Sequence, residues 1–363
     1  MRFRTAFASA LLILAPAATA QERRPMPNLP APAVSQAMSD AEIAAGMDAW
    51  LTQLNADGAF NGAVLIARDG REVYSAARGV TALEGGVALN AETRFPIASI
   101  GKVFTHTAIA QLIEAGRLTL ETTVGEIIPD YPQAATRGAT IAQLLNHRGG
   151  VADIFGPHFR DAPKEQLASN ADYYRLVSTQ PPMFAPGERE EYCNGCYVVL
   201  GEIIARVSGQ TYEAYVAEHL FARVGMSNTA FLRRDALPAN TASFIGRPQG
   251  PQGPLMDVSQ FHGYGGSAAG NVYSTLGDLL SFDNALRDGR LVNAEHVAQI
   301  LRGQPQTGRS TARAGFAGGG PGVNTTVFGN GAWTWVVLTN REPPTAEAMT
   351  QTVFPLLAGP RPQ

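Results

Sequence analysis

The chain has 363 residues, 45% hydrophobic and 16% charged, enough apolar material for a substantial core in one large domain or two closely packed ones. A formal net charge of −3, with neither sign running in blocks, excludes attraction to nucleic acid or to an anionic membrane as the working principle. The 38 glycines and 24 prolines point to many turns and long ordered loops rather than a helical bundle.

Residues 1–20 read as a signal peptide. Arg2 and Arg4 give a positive start, Phe7 to Ala17 is an apolar run too short to span a bilayer, and Ala18-Thr19-Ala20 is a small-x-small cleavage pattern. The expectation is a periplasmic or secreted protein with no stable membrane insertion after cleavage. Residues 21–38 are proline-rich without apolar periodicity, which predicts a disordered linker. Ser39 then opens a helix, with Glu42 completing a capping box and Ile43, Met47, Trp50, Leu51 and Leu54 on one face. Two strands follow, Gly62 to Arg68 and Arg71 to Ala76, joined at Asp69-Gly70 as a hairpin.

Residues 99–261 read mostly as helices and long loops. Ala98 to Ala115 is the strongest helix and stops at Gly116; Thr140 to Leu145 and Gly195 to Ser208 are others, the last ended by Gly209. Strand signals return in Val323 to Phe328 and Trp333 to Thr339, around a turn at Asn330-Gly331, and Ala346 to Leu357 is a final helix. Trp333 and Trp335 fall on one strand face and are expected to pack on a terminal helix. The predicted class is α+β, one domain over residues 39–360. An antiparallel sheet from 39–98 and 262–360, flanked by terminal helices, carries a mostly helical insertion over 99–261.

The chemistry centres on Ser99-Ile100-Gly101-Lys102. Pro96 disfavours helix just before it, so Ser99 is expected at or near a helix N-terminus, where unpaired N–H groups favour negative charge. Lys102, one turn on, shares its face. A plain N-cap serine beside a surface lysine is the bland alternative. Against it stands a helix apolar almost all round, which would bury a cation in its own first turn. Such a lysine has its pKa lowered and can take the serine's proton. A second element is Tyr192-Cys193-Asn194. A tyrosine near cations can be held partly as phenolate and act as a base, and Asn194 can hydrogen-bond a substrate amide or ester. Taken alone, a loop tyrosine with a capping asparagine explains it as well.

Cys193 and Cys196 are the only cysteines. In an oxidising compartment their C-x-x-C spacing favours a disulfide, with two free thiols as the alternative, and no second ligand pair exists for zinc. His158 and Asp153 lack a third ligand, so no metal is expected. His147 and His106 read as structural histidines, and no Gly-x-Ser-x-Gly elbow occurs.

Four segments, FPIASIGKVFTHTAIAQLIEAGRLTL, LLNHRGG, PGEREEYCNGCYVVLGEIIARVSG and AAGNVYSTLGDLLSF, occur in an order that resembles the penicillin-binding-protein and class C β-lactamase superfamily, with its D-alanyl-D-alanine carboxypeptidase and esterase relatives. The resemblance covers nearly the whole chain after the leader. It implies that Ser99 is acylated, that Lys102 and Tyr192 shuttle its proton, and that Asn194 holds the acyl side. GFAGGGPGVNTT aligns with the family's third motif and places Phe316, Ala317 and Gly318 on the strand lining the site, with the N–H groups of Ser99 and Gly319 as an oxyanion hole. Phe316 stands where the family usually has a cation or imidazole that binds a substrate carboxylate. A phenyl ring cannot pair with a carboxylate but can pack on an acyl chain. The expected function is therefore an exported serine hydrolase, esterase-like on small esters or uncharged amides, without cofactor. The alternatives are a β-lactamase or D-alanyl peptidase on cell-wall-like peptides, and a non-catalytic protein that binds through the same cleft.

Overall fold

The structure, a computed structural model, describes residues 26–359; the signal-peptide reading of residues 1–20 lies outside them. Residues 26–38 correct the disordered-linker expectation. They form neither helix nor strand, yet Val34 is buried, Pro30 O accepts from Trp50 Nε1 at 2.6 Å, and Gln36 N donates to Leu356 O at 3.0 Å. Leu29, Val34 and Met38 pack on the apolar cluster shared with the first and last helices, and the two bonds through backbone groups add to that docking.

Helix α1 (Asp40–Ala56) begins at the Ser39–Glu42 capping box. Strands β1 (Gly62–Arg68) and β2 (Arg71–Arg78) turn at Asp69 and Gly70, both at positive φ, the twist a two-residue hairpin requires. The helical segment then runs past Phe261. It includes α2 (Gly101–Glu114), α3 (Asn194–Ser208, closed by left-handed Gly209) and α4 (Leu276–Arg287), and it ends with a helix over Ala294–Leu301. Strands β3 (Ala314–Gly320), β4 (Val323–Gly329) and β5 (Trp333–Thr339) and helix α5 (Thr345–Ala358) complete the fold. The turn before β5 is longer than the dipeptide predicts. Gly329 pairs with Thr334, and Trp333 N donates to the Asn330 side chain at 2.8 Å.

The five strands of the main sheet are antiparallel, in the order β2-β1-β5-β4-β3, so the first hairpin and the last three strands join through β1 and β5. Side chains alternate between the two faces. Val64, Ile66, Trp333, Trp335 and Val337 meet α1 and α5; Ala63, Leu65, Val327, Val336 and Leu338 meet the helical segment. Burial of β1 on both faces explains its unbroken apolar run. Trp335 is fully buried with Nε1 donating to Thr350 Oγ1 at 3.0 Å, so the tryptophans pack where the sequence places them. β3 is an edge of the sheet, as β2 is at the other side, and the turn Ala98–Ile100 packs against it.

Candidate active site

Ser99 sits in a single 3₁₀ turn, Ala98–Ile100, immediately before α2. Its position is fixed from behind. Phe95–Pro96 pairs with Tyr273–Ser274, Ile97 N donates to Val272 O, and Asn271 N donates to Ala98 O. Ala98 is held at φ +45°, a left-handed conformation that costs a non-glycine residue of order 1 kcal/mol or more. Gly270 makes the close approach possible: a Cβ there would lie 2.3 Å from Ala98 O.

Lys102 is buried, and its Nζ donates to Ala269 O at 2.6 Å, Asn194 Oδ1 at 2.8 Å and Ser99 Oγ at 3.2 Å. Burial lowers its pKa to about 7, against the opposing pull of the Asp153 carboxylate. Tyr192 donates its O–H to Ser99 Oγ at 2.6 Å, with Lys102 Nζ 4.8 Å from its ring centroid. The phenolate expectation fails. Burial pushes the phenol well above its ordinary value, and the hydrogen bond to Ser99 only partly offsets this. Asn194 is the first residue of α3, its Oδ1 on Lys102 and its Nδ2 3.3 and 3.4 Å from the two Asp153 oxygens.

Edge strand β3 comes up beside Ser99 at Gly318. A Cβ there would sit 2.5 Å from Ile97 O and 2.8 Å from Ser99 N. Gly318 O accepts from Asn324 Nδ2 at 3.2 Å on β4, and in a trans peptide the next N–H, that of Gly319, points the opposite way, off the sheet edge. Gly319 lines the cleft with Ser99 and Asn194; Phe316, Ala317 and Gly318 do not. The half-buried ring of Phe316 packs against the apolar core.

The cleft is open, about 850 Å³ including solvent. Its apolar walls are Ile154, Phe155, Phe159, Tyr173, Phe261 and Val323, its polar ones Asn194, His262, Ser267 and Asn271, and no Asp, Glu, Lys or Arg lines it. Phe155 and Phe261, 41% and 44% exposed, stand at the cleft uncovered.

Residues 47–358 match the family model described as Beta-lactamase. The chain belongs to the beta-lactamase family of serine hydrolases. It is 28% identical over 296 residues to penicillin-binding protein 4* of Bacillus subtilis, covering 73% of this chain and 64% of that one, so it spans less than two thirds of that relative's length. Among solved structures it resembles a penicillin-binding protein from Bacillus halodurans, with a TM-score of 0.72, 27% identity, and 83% of this chain and 98% of that one covered. EstCE1, a hydrolase with promiscuous acyltransferase activity, shares the fold at a TM-score of 0.70 and 20% identity, covering 88% and 99%.

Within this beta-lactamase fold, Cys193 and Cys196 are bonded and fully buried, in the first turn of α3 between Tyr192 and the helix. His147 is structural. Its Nδ1 accepts from Cys193 N at 3.2 Å, its ring lies 4.8 Å from that of Tyr192, and burial lowers it to about 3, so it is neutral. His106 is likewise held neutral by burial, near about 4. The residue that sequence reasoning missed is Asp153, noted only as an incomplete metal ligand; among the described residues no cluster fit for a metal exists. Nothing in its neighbours along the chain signals its place beside Asn194, 41 residues away.

Proposed function

We propose that this protein is an exported serine hydrolase that forms an acyl-enzyme on Ser99 and acts on small esters or uncharged amides with an apolar acyl group. The uncharged, largely aromatic wall of the cleft carries this reading: it offers a carboxylate no cationic partner and an acyl chain an apolar surface. Export rests on the leader-like residues 1–20; among the described residues no helix is long and apolar enough to cross a membrane.

With a pKa near 7, about half of Lys102 is the free amine at neutral pH. The amine takes the proton of Ser99 Oγ as the oxygen attacks the carbonyl carbon. The N–H groups of Ser99 and Gly319 receive the oxyanion, a contribution of about 3 kcal/mol per donor. When the tetrahedral intermediate collapses, the leaving alkoxide or amine takes a proton from Tyr192, whose phenol is neutral and beside Ser99 Oγ, and Lys102 re-protonates the phenol. Water then attacks the acyl-enzyme by the same route in reverse, restoring the Ser99 hydroxyl.

The test is the initial rate on p-nitrophenyl butyrate and on a chromogenic cephalosporin, with Ser99→Ala alongside. Ester turnover that far exceeds cephalosporin turnover and vanishes in the variant is the expected result. Faster cephalosporin turnover would move the reading to a β-lactamase or peptidase, and ester turnover that survives Ser99→Ala would remove Ser99 as the nucleophile.

A further inference from the structure

We propose that Asp153 is a positioning residue of this site, setting through the Asn194 amide both the orientation and the charge balance of Lys102. The inference rests on the serine-hydrolase reading above. Asn194 bridges the two groups, Oδ1 on the Lys102 nitrogen at 2.8 Å and Nδ2 at 3.3 and 3.4 Å from the Asp153 carboxylate. A carboxylate only accepts and an ammonium only donates, so one amide orientation satisfies both ends. A flipped amide would set donor against donor and acceptor against acceptor. Asn194 is 4% exposed, so water cannot relieve that mismatch. Asp153 is itself held, its Oδ1 accepting from Phe155 N at 2.9 Å.

The orientation matters to the base. Once Lys102 is an amine, two N–H bonds point to Asn194 Oδ1 and Ala269 O, and the remaining tetrahedral direction, the lone pair, points to Ser99 Oγ. A flipped Asn194 would instead donate into the nitrogen and occupy the lone pair. The groups facing Lys102 are the Ser99 hydroxyl, the rings of Tyr192 and Tyr197 at 4.8 and 5.4 Å, neutral His147, and Asp153, which supplies the negative charge. His158, in the short helix Pro157–Asp161, faces Asp153. Burial disfavours the Lys102 cation and Asp153 favours it, so removing that charge extends the free amine to lower pH.

The experiment compares full-length wild type, Asp153→Asn and Asp153→Ala. It reads kcat and kcat/KM for p-nitrophenyl butyrate against pH, and the rate of covalent labelling by a fluorophosphonate probe. Asp153→Asn keeps an acceptor oxygen but loses the charge. Its acid limb, in both labelling and kcat/KM, is expected to move down by about half to one pH unit. Asp153→Ala also frees the amide, and kcat is expected to fall about 10-fold or more with KM within about 2-fold. If both variants are folded by near-ultraviolet circular dichroism and keep the wild-type limb and kcat, the inference is overturned. A rise in KM at constant kcat overturns it too, by making Asp153 a substrate contact. Wild type that neither hydrolyses the ester nor takes the label refutes the hydrolase reading itself, whereas labelled wild type with unmoved variants refutes only the role of Asp153.

Discussion

Replacing Lys102 with methionine exchanges a buried cation for an apolar side chain of similar length, and its effect on stability has a definite pH dependence. The ammonium is moved by burial from 10.5 in the unfolded chain to about 7 in the folded one. Below pH 7 both forms hold the proton, and the folded wild type bears the whole cost of burying it. Between pH 7 and 10.5 the folded form has released the proton while the unfolded form keeps it, so wild-type stability rises with pH. Each pH unit there is worth about 1.4 kcal/mol, for a total of roughly 5 kcal/mol below pH 7. Against this, the variant leaves Asn194 Oδ1 and Ala269 O without their donor, at about 1 kcal/mol each. The variant is therefore expected to be more stable than wild type by about 3 kcal/mol at pH 6, and to lose nearly all of that advantage by pH 9. Urea unfolding of both proteins at the two pH values measures the difference, and common groups that do not face Lys102 cancel; Asp153, which does, has its carboxylic acid form favoured further once the cation is gone. A stability difference that is the same at pH 6 and pH 9 would refute the lowered pKa of Lys102, and with it the idea that this lysine is a base at neutral pH.

The same value places the acid limb of kcat/KM near pH 7, measurable on p-nitrophenyl butyrate; a limb near pH 4 or 5 would point to a carboxylate instead. Gly318→Ala drives a Cβ against the backbone of Ile97 and Ser99, neither of which can swing aside. We expect kcat to fall about 100-fold or more as the Ser99 and Gly319 donors lose their spacing, with far-ultraviolet circular dichroism unchanged; full activity would separate β3 from the chemistry. Replacing Cys193 and Cys196 together by serine opens a loop too short for its closure entropy to matter much, so the effect is expected on geometry. The expectation is a kcat reduced about 10-fold at nearly unchanged melting temperature. Unaltered kcat would leave the bridge without a part in presenting Tyr192.

What was legible in the chain follows a physical division. The terminal helices and the strands announced themselves because their apolar residues recur with the period of the element. Val64, Ile66, Trp333 and Trp335 meet α1 and α5 across a shared face. Lys102 was legible for another reason: a cation set among Ile100, Val103 and Phe104 is costly to bury, and that cost is visible without coordinates. The ionisation of Tyr192 was not. A tyrosine beside a lysine reads as a candidate phenolate, but the answer depends on how much water the fold removes, and here desolvation outweighs the hydrogen bond to Ser99. Residues 26–38 misled because Leu29, Val34 and Met38 follow no helix or strand period, yet pack on the core with backbone bonds at Pro30 O and Gln36 N.

Phe316 and Asp153 mark the two ends of the same difficulty. Motif alignment set Phe316 in the site because a charged side chain belongs there in the family, and the fold packs its ring against the core. Asp153 belongs to no motif, but the fold brings its carboxylate onto Asn194 at the start of α3. The negative charge of this site therefore lies behind the lysine rather than a positive charge in front of the substrate. That arrangement suits a neutral substrate: Lys102 is balanced by the protein's own carboxylate, and the cleft itself is left uncharged.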